Sequence, residues 1–115
     1  MPDGKPSSPI KVRLVEEKSV VPEGMEETLK QPLKGYRFSE DTLYLVNAIR
    51  PAPSENILEI GTGCGIISLC LAKQYPTIKI TAIEIDEELS ACAGENAALC
   101  GLENQIQIIQ GDVQV

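Results

Sequence analysis

The stretch from Asn56 to Gly65, Asn-Ile-Leu-Glu-Ile-Gly-Thr-Gly-Cys-Gly, constrains the fold of this chain more than any other. A short apolar run, interrupted only by Glu59, ends at three glycines in alternate positions, Gly61, Gly63 and Gly65. An apolar run of this length that stops at glycine is typical of a buried strand in a parallel sheet. Because glycine tolerates positive φ and carries no Cβ, such a turn lets a ligand approach the backbone closely.

Apolar periodicity and stop signals predict a regular alternation of strands and helices from this point on. The predicted strands are Asn56–Ile60, Lys79–Glu84 and Gln105–Gln110, and the helices between them run from about Gly65 to Tyr75 and from Asp86 to about Cys100. Short connections in the order βαβαβ imply right-handed crossovers and a parallel sheet. We therefore predict an α/β fold that forms one half of a doubly wound, Rossmann-like sheet.

Residues 1–38 carry weaker signals than the rest of the chain. Three prolines, two serines and a glycine dominate the first nine residues, which predicts a loose arm. Apolar and basic residues alternate over Ile10–Val15 and predict a short exposed strand. We predict that residues 1–38 form an N-terminal arm with short strands, as a hairpin-like extension, and that residues 39–115 form the sheet domain.

A helix is predicted to open the sheet domain. Ser39 is a good N-cap for it, and Pro51 ends it. Tyr36 and Phe38 lie just before this helix. Their rings could cover a bound ligand, or they could only anchor the start of the helix to the core, and the sequence leaves both interpretations open.

The first predicted core strand would have one unpaired flank. In a doubly wound sheet this strand is central, and a fourth strand would pair with its other side. A long apolar strand edge without a partner promotes association. We therefore expect the chain to be part of a longer protein, or the edge to be covered by the N-terminal segment or another chain. Self-association through this edge would be one such case.

Acidic residues dominate the predicted sheet domain. Residues 39–115 hold three Lys or Arg against eleven Asp or Glu, whereas residues 1–38 hold seven against six, and the net charge is −7. Phosphate contacts dominate non-specific affinity for nucleic acids, so the sheet domain is a poor nucleic-acid-binding surface by itself. An RNA substrate would need positive charge from the N-terminal stretch or from further sequence.

The composition also limits the kinds of site and location. The chain has no His, and its four cysteines show no Cys-x-x-Cys spacing, so we predict no metal site and reduced cysteines in the core. Ser-His and Cys-His nucleophile pairs are excluded. No apolar run is long enough to span a bilayer, and the first ten residues are polar and rich in proline, which predicts a cytoplasmic protein without a membrane partner.

Three acidic side chains fall where the predicted strands end. Glu59 lies two residues before the first glycine, Glu84 closes the second strand and Asp112 follows the third. Ligands of doubly wound sheets lie beyond the carboxyl ends of the strands, so we expect all three around one crevice. Glu84 is placed to accept hydrogen bonds from two ribose hydroxyls, Asp112 from the exocyclic amine of adenine, and Glu59 to orient a cationic group. The alternative for Glu84 and Asp112 is that they are ordinary polar strand ends.

The glycine spacing discriminates between two cofactors that contain adenosine. The dinucleotide pattern Gly-x-Gly-x-x-Gly, counted from Gly61, would need a glycine where the chain has Ile66. The carboxylate of Glu59 would repel a pyrophosphate but attract a cation. Both features favour S-adenosyl-L-methionine, which carries a sulfonium and an ammonium group, over NAD.

Three segments together resemble the first three motifs of class I S-adenosylmethionine-dependent methyltransferases: Glu59–Gly65, Ile83–Asp86 and Gly111–Val113. The resemblance implies that the first segment holds the methionine part of the cofactor, the second its ribose and the third its adenine. The full set of predicted cofactor-binding residues is Phe38, Glu59, Gly61, Thr62, Gly63, Gly65, Glu84, Ile85, Asp112 and Val113.

The segment Gly35–Leu43, with Gln31-Pro32 upstream, further resembles the valine-tRNA adenine-N6 methyltransferase family. This resemblance implies N-methylation of adenine in tRNA or another RNA. The related protein-glutamine methyltransferases that modify release factors share the same core. A non-catalytic half-domain that binds S-adenosylmethionine or a nucleotide is a further alternative.

Those enzyme families hold the target nitrogen with an Asn-Pro-Pro-Tyr type of motif after the fourth strand. The 115 residues contain no such motif. We therefore assign no catalytic residue, and we expect this chain to be inactive by itself.

Overall fold

The computed structural model describes residues 12–16, 19–22 and 40–114. Its elements are β1 (Val12–Glu16), β2 (Ser19–Pro22), α1 (Glu40–Ala48), β3 (Asn56–Ile60), α2 (Ile66–Gln74), β4 (Lys79–Glu84), α3 (Glu87–Leu99) and β5 (Ile106–Gln110). β1 and β2 pair antiparallel, and β3, β4 and β5 form a parallel sheet in that order. The predicted α/β fold with a βαβαβ core is confirmed.

The core elements begin and end close to the predicted residues. β3 and β4 have the predicted bounds, and β5 begins one residue later than predicted. Asp86 caps α3, because its side chain accepts a hydrogen bond of 2.8 Å from the Leu89 amide. Gly101, at a φ of +69°, adopts the left-handed conformation that commonly ends a helix.

The predicted hairpin-like extension is confirmed as the antiparallel pair β1–β2. β1 overlaps the strand predicted over Ile10–Val15, whereas no bounds were predicted for a second strand of the extension. In the structure Pro22 is the last residue of β2, opposite Val12. Proline is tolerated at a strand end, where the missing N–H interrupts no continuing ladder.

The hydrophobic core lies between the sheet and one layer of helices. Its fully buried side chains come from all three helices and from one face of the sheet, and they include Val46, Leu69, Ile80 and Ala97. Successive strands that follow one another across a sheet, with crossovers of one hand, place their helices on the same face. This topology leaves the second face of the sheet without a helix among the described residues.

The second sheet face is apolar and exposed. Ile60, Ile83 and Ile109 lie side by side across the three strands. Ile60 is 61% exposed, and Leu58 on the same face is 60% exposed. The prediction that β3 is a buried strand is therefore wrong for this face. An apolar run shows that a strand can be buried on both sides, but it does not show what covers each side.

A half-buried amide fixes the opposite, amino-terminal edge of the sheet. The Nε2 group of Gln105 donates to the carbonyl oxygens of Ala72 and Tyr75, each at 3.1 Å, and of Ile78 at 3.3 Å. These carbonyls belong to the end of α2 and the turn that leads to β4, so one side chain satisfies several terminal carbonyls of a helix. Within the described ranges, none of the helices has the length and apolar character needed to cross a membrane.

Candidate functional site

The glycine-rich loop of residues 61–65 connects β3 to α2 and bends over the carboxyl end of β4. Its three glycines have φ values of +76°, +59° and +87°, a region that side chains with a Cβ rarely adopt. The amides of Gly61 and Thr62 both donate to the carbonyl oxygen of Ile83, at 2.8 and 3.2 Å. The sequence of alternate glycines is therefore required by the backbone conformation of the loop.

Gly65 has a second reason to lack a side chain. A Cβ at this position would lie 3.3 Å from the Cβ of Ala93 in α3 and 3.8 Å from a methyl carbon of Leu69. The loop thus packs directly against the middle of α3. This close approach brings α2 and α3 together beneath the loop.

Glu84 closes the second strand of the sheet, as predicted. It is the last residue of β4 and is only 7% exposed. Its Oε1 accepts a hydrogen bond of 2.8 Å from the Gly63 amide, and its Oε2 accepts one of 3.0 Å from the Asp86 amide. A carboxylate oxygen has two lone pairs. Each oxygen can therefore accept one more hydrogen bond, and the two oxygens together could accept from two neighbouring hydroxyl groups.

Glu59 is the second predicted carboxylate, and a pair of hydroxyls orients it. Its Oε1 accepts hydrogen bonds from the hydroxyl of Thr62, at 2.7 Å, and from the hydroxyl of Ser68. Both hydroxyl residues are buried. Among the described residues nothing donates to its Oε2, so this oxygen is available to a cationic group of a ligand.

The predicted adenine-binding residues lie at the same edge of the sheet. Ile85 directly follows β4, and Asp112 and Val113 follow β5. The amide of Gly111 donates to the carbonyl oxygen of Glu84 at 2.9 Å, which ties the two strand ends together. Ile85 is 61% and Val113 is 41% exposed, so apolar surface is open at this edge beside the Asp112 carboxylate.

The structure thus brings the predicted residues from Glu59 to Val113 to one edge of the sheet. Phe38, also predicted to bind the cofactor, lies outside the described residues, as do Tyr36 and Ser39. The covering role of the two aromatic rings and the capping role of Ser39 stay predictions.

Charge separates the two edges of the sheet domain. The carboxyl-terminal edge carries Glu59, Glu84 and Asp112, whereas the basic residues between positions 40 and 114 are Arg50, Lys73 and Lys79. Arg50 precedes β3, Lys73 lies in the last turn of α2, and Lys79 opens β4, all toward the amino-terminal edge. The Nζ of Lys79 donates to the carbonyl oxygen of Asn104 at that edge. The site therefore favours a ligand with positive charge over one with free phosphates.

Burial makes two of the four cysteines poorly reactive. None of the four forms a disulfide. Cys64 and Cys70 are buried, as predicted for core residues, whereas Cys92 and Cys100 are half-buried. Burial raises the pKa of the Cys70 thiol to about 12, although the positive charge of Lys73 offsets part of this effect. Burial also raises the pKa of Cys100. Because the thiolate is the reactive form, these two thiols are poor nucleophiles at neutral pH.

Two residues of the site were not predicted. Ser68 in α2 binds Glu59, and Asn96 in α3 donates to the carbonyl oxygen of Cys64 in the glycine-rich loop. Each is a buried polar residue within a mostly apolar helix face, which was the available signal. The periodicity of apolar residues in a helix shows that such a side chain lies on the buried side. It does not show which group the side chain contacts. Among the residues that the structure describes, no cluster of three His, Cys, Asp or Glu is arranged to hold a metal ion.

Comparison with known proteins identifies relatives of this arrangement. The family model described as ribosomal RNA adenine dimethylase matches residues 40–114. A tRNA1(Val) (adenine(37)-N6)-methyltransferase from Glaesserella parasuis is 34% identical over 77 residues, which are 67% of this chain and 33% of the relative. A release factor glutamine methyltransferase from Koribacter versatilis is 38% identical over 77 residues, 64% of this chain and 27% of the relative.

A solved structure shares the fold as well. A SAM-dependent methyltransferase from Geobacter sulfurreducens, in complex with S-adenosyl-L-homocysteine, aligns with a TM-score of 0.57 and 27% identity. The alignment covers 65% of this chain and 30% of that protein. The chain thus spans about a third of the length of these relatives.

Proposed function

Because this chain belongs to the ribosomal RNA adenine dimethylase family, we propose that residues 40–114 form the S-adenosyl-L-methionine site of a methyltransferase. One observation carries the proposal: the buried carboxylate of Glu84 is fixed by two backbone amides, and each of its oxygens keeps an open lone pair. A vicinal diol such as that of ribose fits this pair of acceptors, and the charge-assisted hydrogen bonds would be strong.

The remaining residues take complementary roles in this proposal. The backbone of the glycine-rich loop and the Oε2 atom of Glu59 receive the methionine part, with its ammonium group near the carboxylate. Ile85 and Val113 contact the adenine ring, and Asp112 accepts from its amine. The cofactor supplies the methyl group as an electrophile when it is bound. The chain's contribution is to position the cofactor, which is the main requirement of an in-line transfer.

A nitrogen of adenine in RNA, and in tRNA in particular, is the acceptor we propose for the whole protein. The name of the Glaesserella parasuis relative supports this proposal. The acidic surface around the site does not attract RNA, so basic residues within positions 1–38 or elsewhere in the protein would make the phosphate contacts. The similarity to a release factor glutamine methyltransferase makes a glutamine amide the second candidate. Both acceptors present a planar nitrogen on an sp² carbon.

Cofactor identity is tested by titration calorimetry of the purified chain with S-adenosyl-L-homocysteine and, separately, with NAD. We expect binding of S-adenosyl-L-homocysteine and no binding of NAD, because the carboxylates of the site repel a pyrophosphate. Mass spectrometry of ligand released from the freshly purified protein is an independent check. Saturable binding of NAD, with none of S-adenosyl-L-homocysteine, would refute the proposal.

The acceptor is tested with the protein extended to the length of its relatives. With radiolabelled S-adenosyl-L-methionine, we expect label to appear in an RNA fraction of the cell extract and to be removed by ribonuclease. Label that resists ribonuclease and is removed by protease would instead support the glutamine amide.

Further expectations from the sequence stay predictions. One of these is self-association through the second edge of β3, which pairs only with β4 among the described strands. The others are a cytoplasmic location, the domain boundary at residue 38 and the inactivity of the 115-residue chain by itself.

A further inference from the structure

Asn96 is a buried amide that reaches from α3 to the glycine-rich loop. It is 1% exposed. Its Nδ2 donates to the carbonyl oxygen of Cys64 at 3.0 Å and lies 3.8 Å from the sulfur of Cys92. A buried amide is costly unless it is hydrogen-bonded. The bond to the loop therefore makes this residue type tolerable at the centre of α3.

The peptide unit between Cys64 and Gly65 is consequently held at both of its polar atoms. The carbonyl oxygen of Cys64 accepts from Asn96, and the amide of Gly65 donates to the carbonyl oxygen of Thr62 at 2.9 Å. The amide of Gly63, earlier in the same loop, donates to Glu84. Glycines move readily between backbone conformations, so these bonds select one shape of the loop.

We propose that Asn96 is a positioning residue, which fixes the Cys64–Gly65 peptide and so keeps the loop in the shape that meets both the ligand and Glu84. The identity of the ligand rests on the proposed function. Without the amide donor, the buried carbonyl of Cys64 loses this partner and the peptide can rotate. The Gly63 amide then no longer stays aligned with the Glu84 carboxylate, and ligand binding weakens.

A pair of variants separates this role from a merely structural one. Asn96→Leu removes a buried amide that binds the glycine-rich loop. Gln105→Met removes a half-buried amide that binds carbonyls at the opposite edge of the sheet. Both should lower the urea midpoint of unfolding. Only Asn96→Leu should weaken S-adenosyl-L-homocysteine binding, by roughly tenfold or more, as expected when a buried carbonyl loses a hydrogen bond. Equal affinities for the two variants would overturn the proposal.

Asn96→Asp adds a test that depends on pH and does not require the leucine variant to fold. An ionised carboxylate cannot donate to the Cys64 carbonyl, whereas a protonated carboxyl group can. Burial and the nearby carbonyl oxygen both favour the protonated form. The affinity of Asn96→Asp relative to the unchanged protein at the same pH should therefore rise as the pH falls. A ratio that does not change with pH would contradict the positioning role.

Hydrogen exchange of the Gly63 amide, followed by NMR without ligand, tests the link between the loop and Glu84 directly. We expect faster exchange at Gly63 in Asn96→Leu, relative to the amides of β4, and no such change in Gln105→Met. If the unchanged protein binds no S-adenosyl-L-homocysteine, the proposed function fails, and exchange at Gly63 still decides whether Asn96 positions the loop. Unchanged exchange at Gly63 in Asn96→Leu would overturn the inference.

Discussion

Glu84→Ala should weaken binding of S-adenosyl-L-homocysteine by roughly 2–3 kcal/mol, which is about 30- to 150-fold in the dissociation constant. The variant removes the charge-assisted acceptors that we assign to the ribose hydroxyls. It also leaves the amides of Gly63 and Asp86 without the acceptor that they have in the structure. The loss should therefore include both direct contacts and a looser glycine-rich loop.

Glu103→Ala is the matched control for Glu84→Ala. Glu103 is an exposed acid between α3 and β5, so its removal changes the net charge by the same amount away from the site. Titration calorimetry of both variants should show a large loss for Glu84→Ala and no loss for Glu103→Ala. An affinity of Glu84→Ala equal to that of the unchanged protein would contradict the role assigned to Glu84.

Gly65→Ala should lower the free energy of unfolding by roughly 2–4 kcal/mol and abolish measurable ligand binding. Two costs combine at this position. The φ of +87° is unfavourable for any residue with a Cβ, and the new Cβ would lie 3.3 Å from the Cβ of Ala93. Relief of this contact would move the loop away from α3 and disturb the site.

Two other glycines separate these costs. Gly101 has a φ of +69° but open space around its position, so Gly101→Ala should lose only the backbone contribution of about 1 kcal/mol. Gly94 lies within α3, also with open space around it, so Gly94→Ala should stabilise the protein by about 0.5–1 kcal/mol. Urea unfolding of the three variants should give this order of stabilities. Equal destabilisation by Gly65→Ala and Gly101→Ala would show that the contact with Ala93 has no cost.

The order and direction of the core strands could be predicted from sequence because local signals agree. The apolar runs of β3 and β4 have clear limits, and β4 is followed by the capping residue Asp86 and the acidic first turn of α3. Short connections then permit few topologies. The bounds of β2 could not be predicted because Val20 and Val21 favour a strand, whereas Pro22 and Gly24 favour a turn. The exposed face of β3 was missed because composition does not specify what lies against a strand.

The site was predictable to the level of residue type and edge, but not of individual contacts. A carboxylate near the end of a parallel strand lies toward the carboxyl-terminal edge of the sheet, which is where the structure has Glu59, Glu84 and Asp112. The contacts of Ser68 with Glu59, and of Asn96 with Cys64, join residues whose relative positions depend on how two helices pack against the loop. Sequence periodicity gives the buried side of each helix, while the partner is set by the three-dimensional packing.

A crystal structure of the chain with S-adenosyl-L-homocysteine tests the central claim most directly. We expect both ribose hydroxyls within hydrogen-bond distance of the Glu84 carboxylate, and the homocysteine part against the backbone of residues 61–65. The adenine should lie at the sheet edge, beside Ile85 and Val113. Density for the ligand at any other place, or a Glu84 side chain turned away from it, would contradict the account.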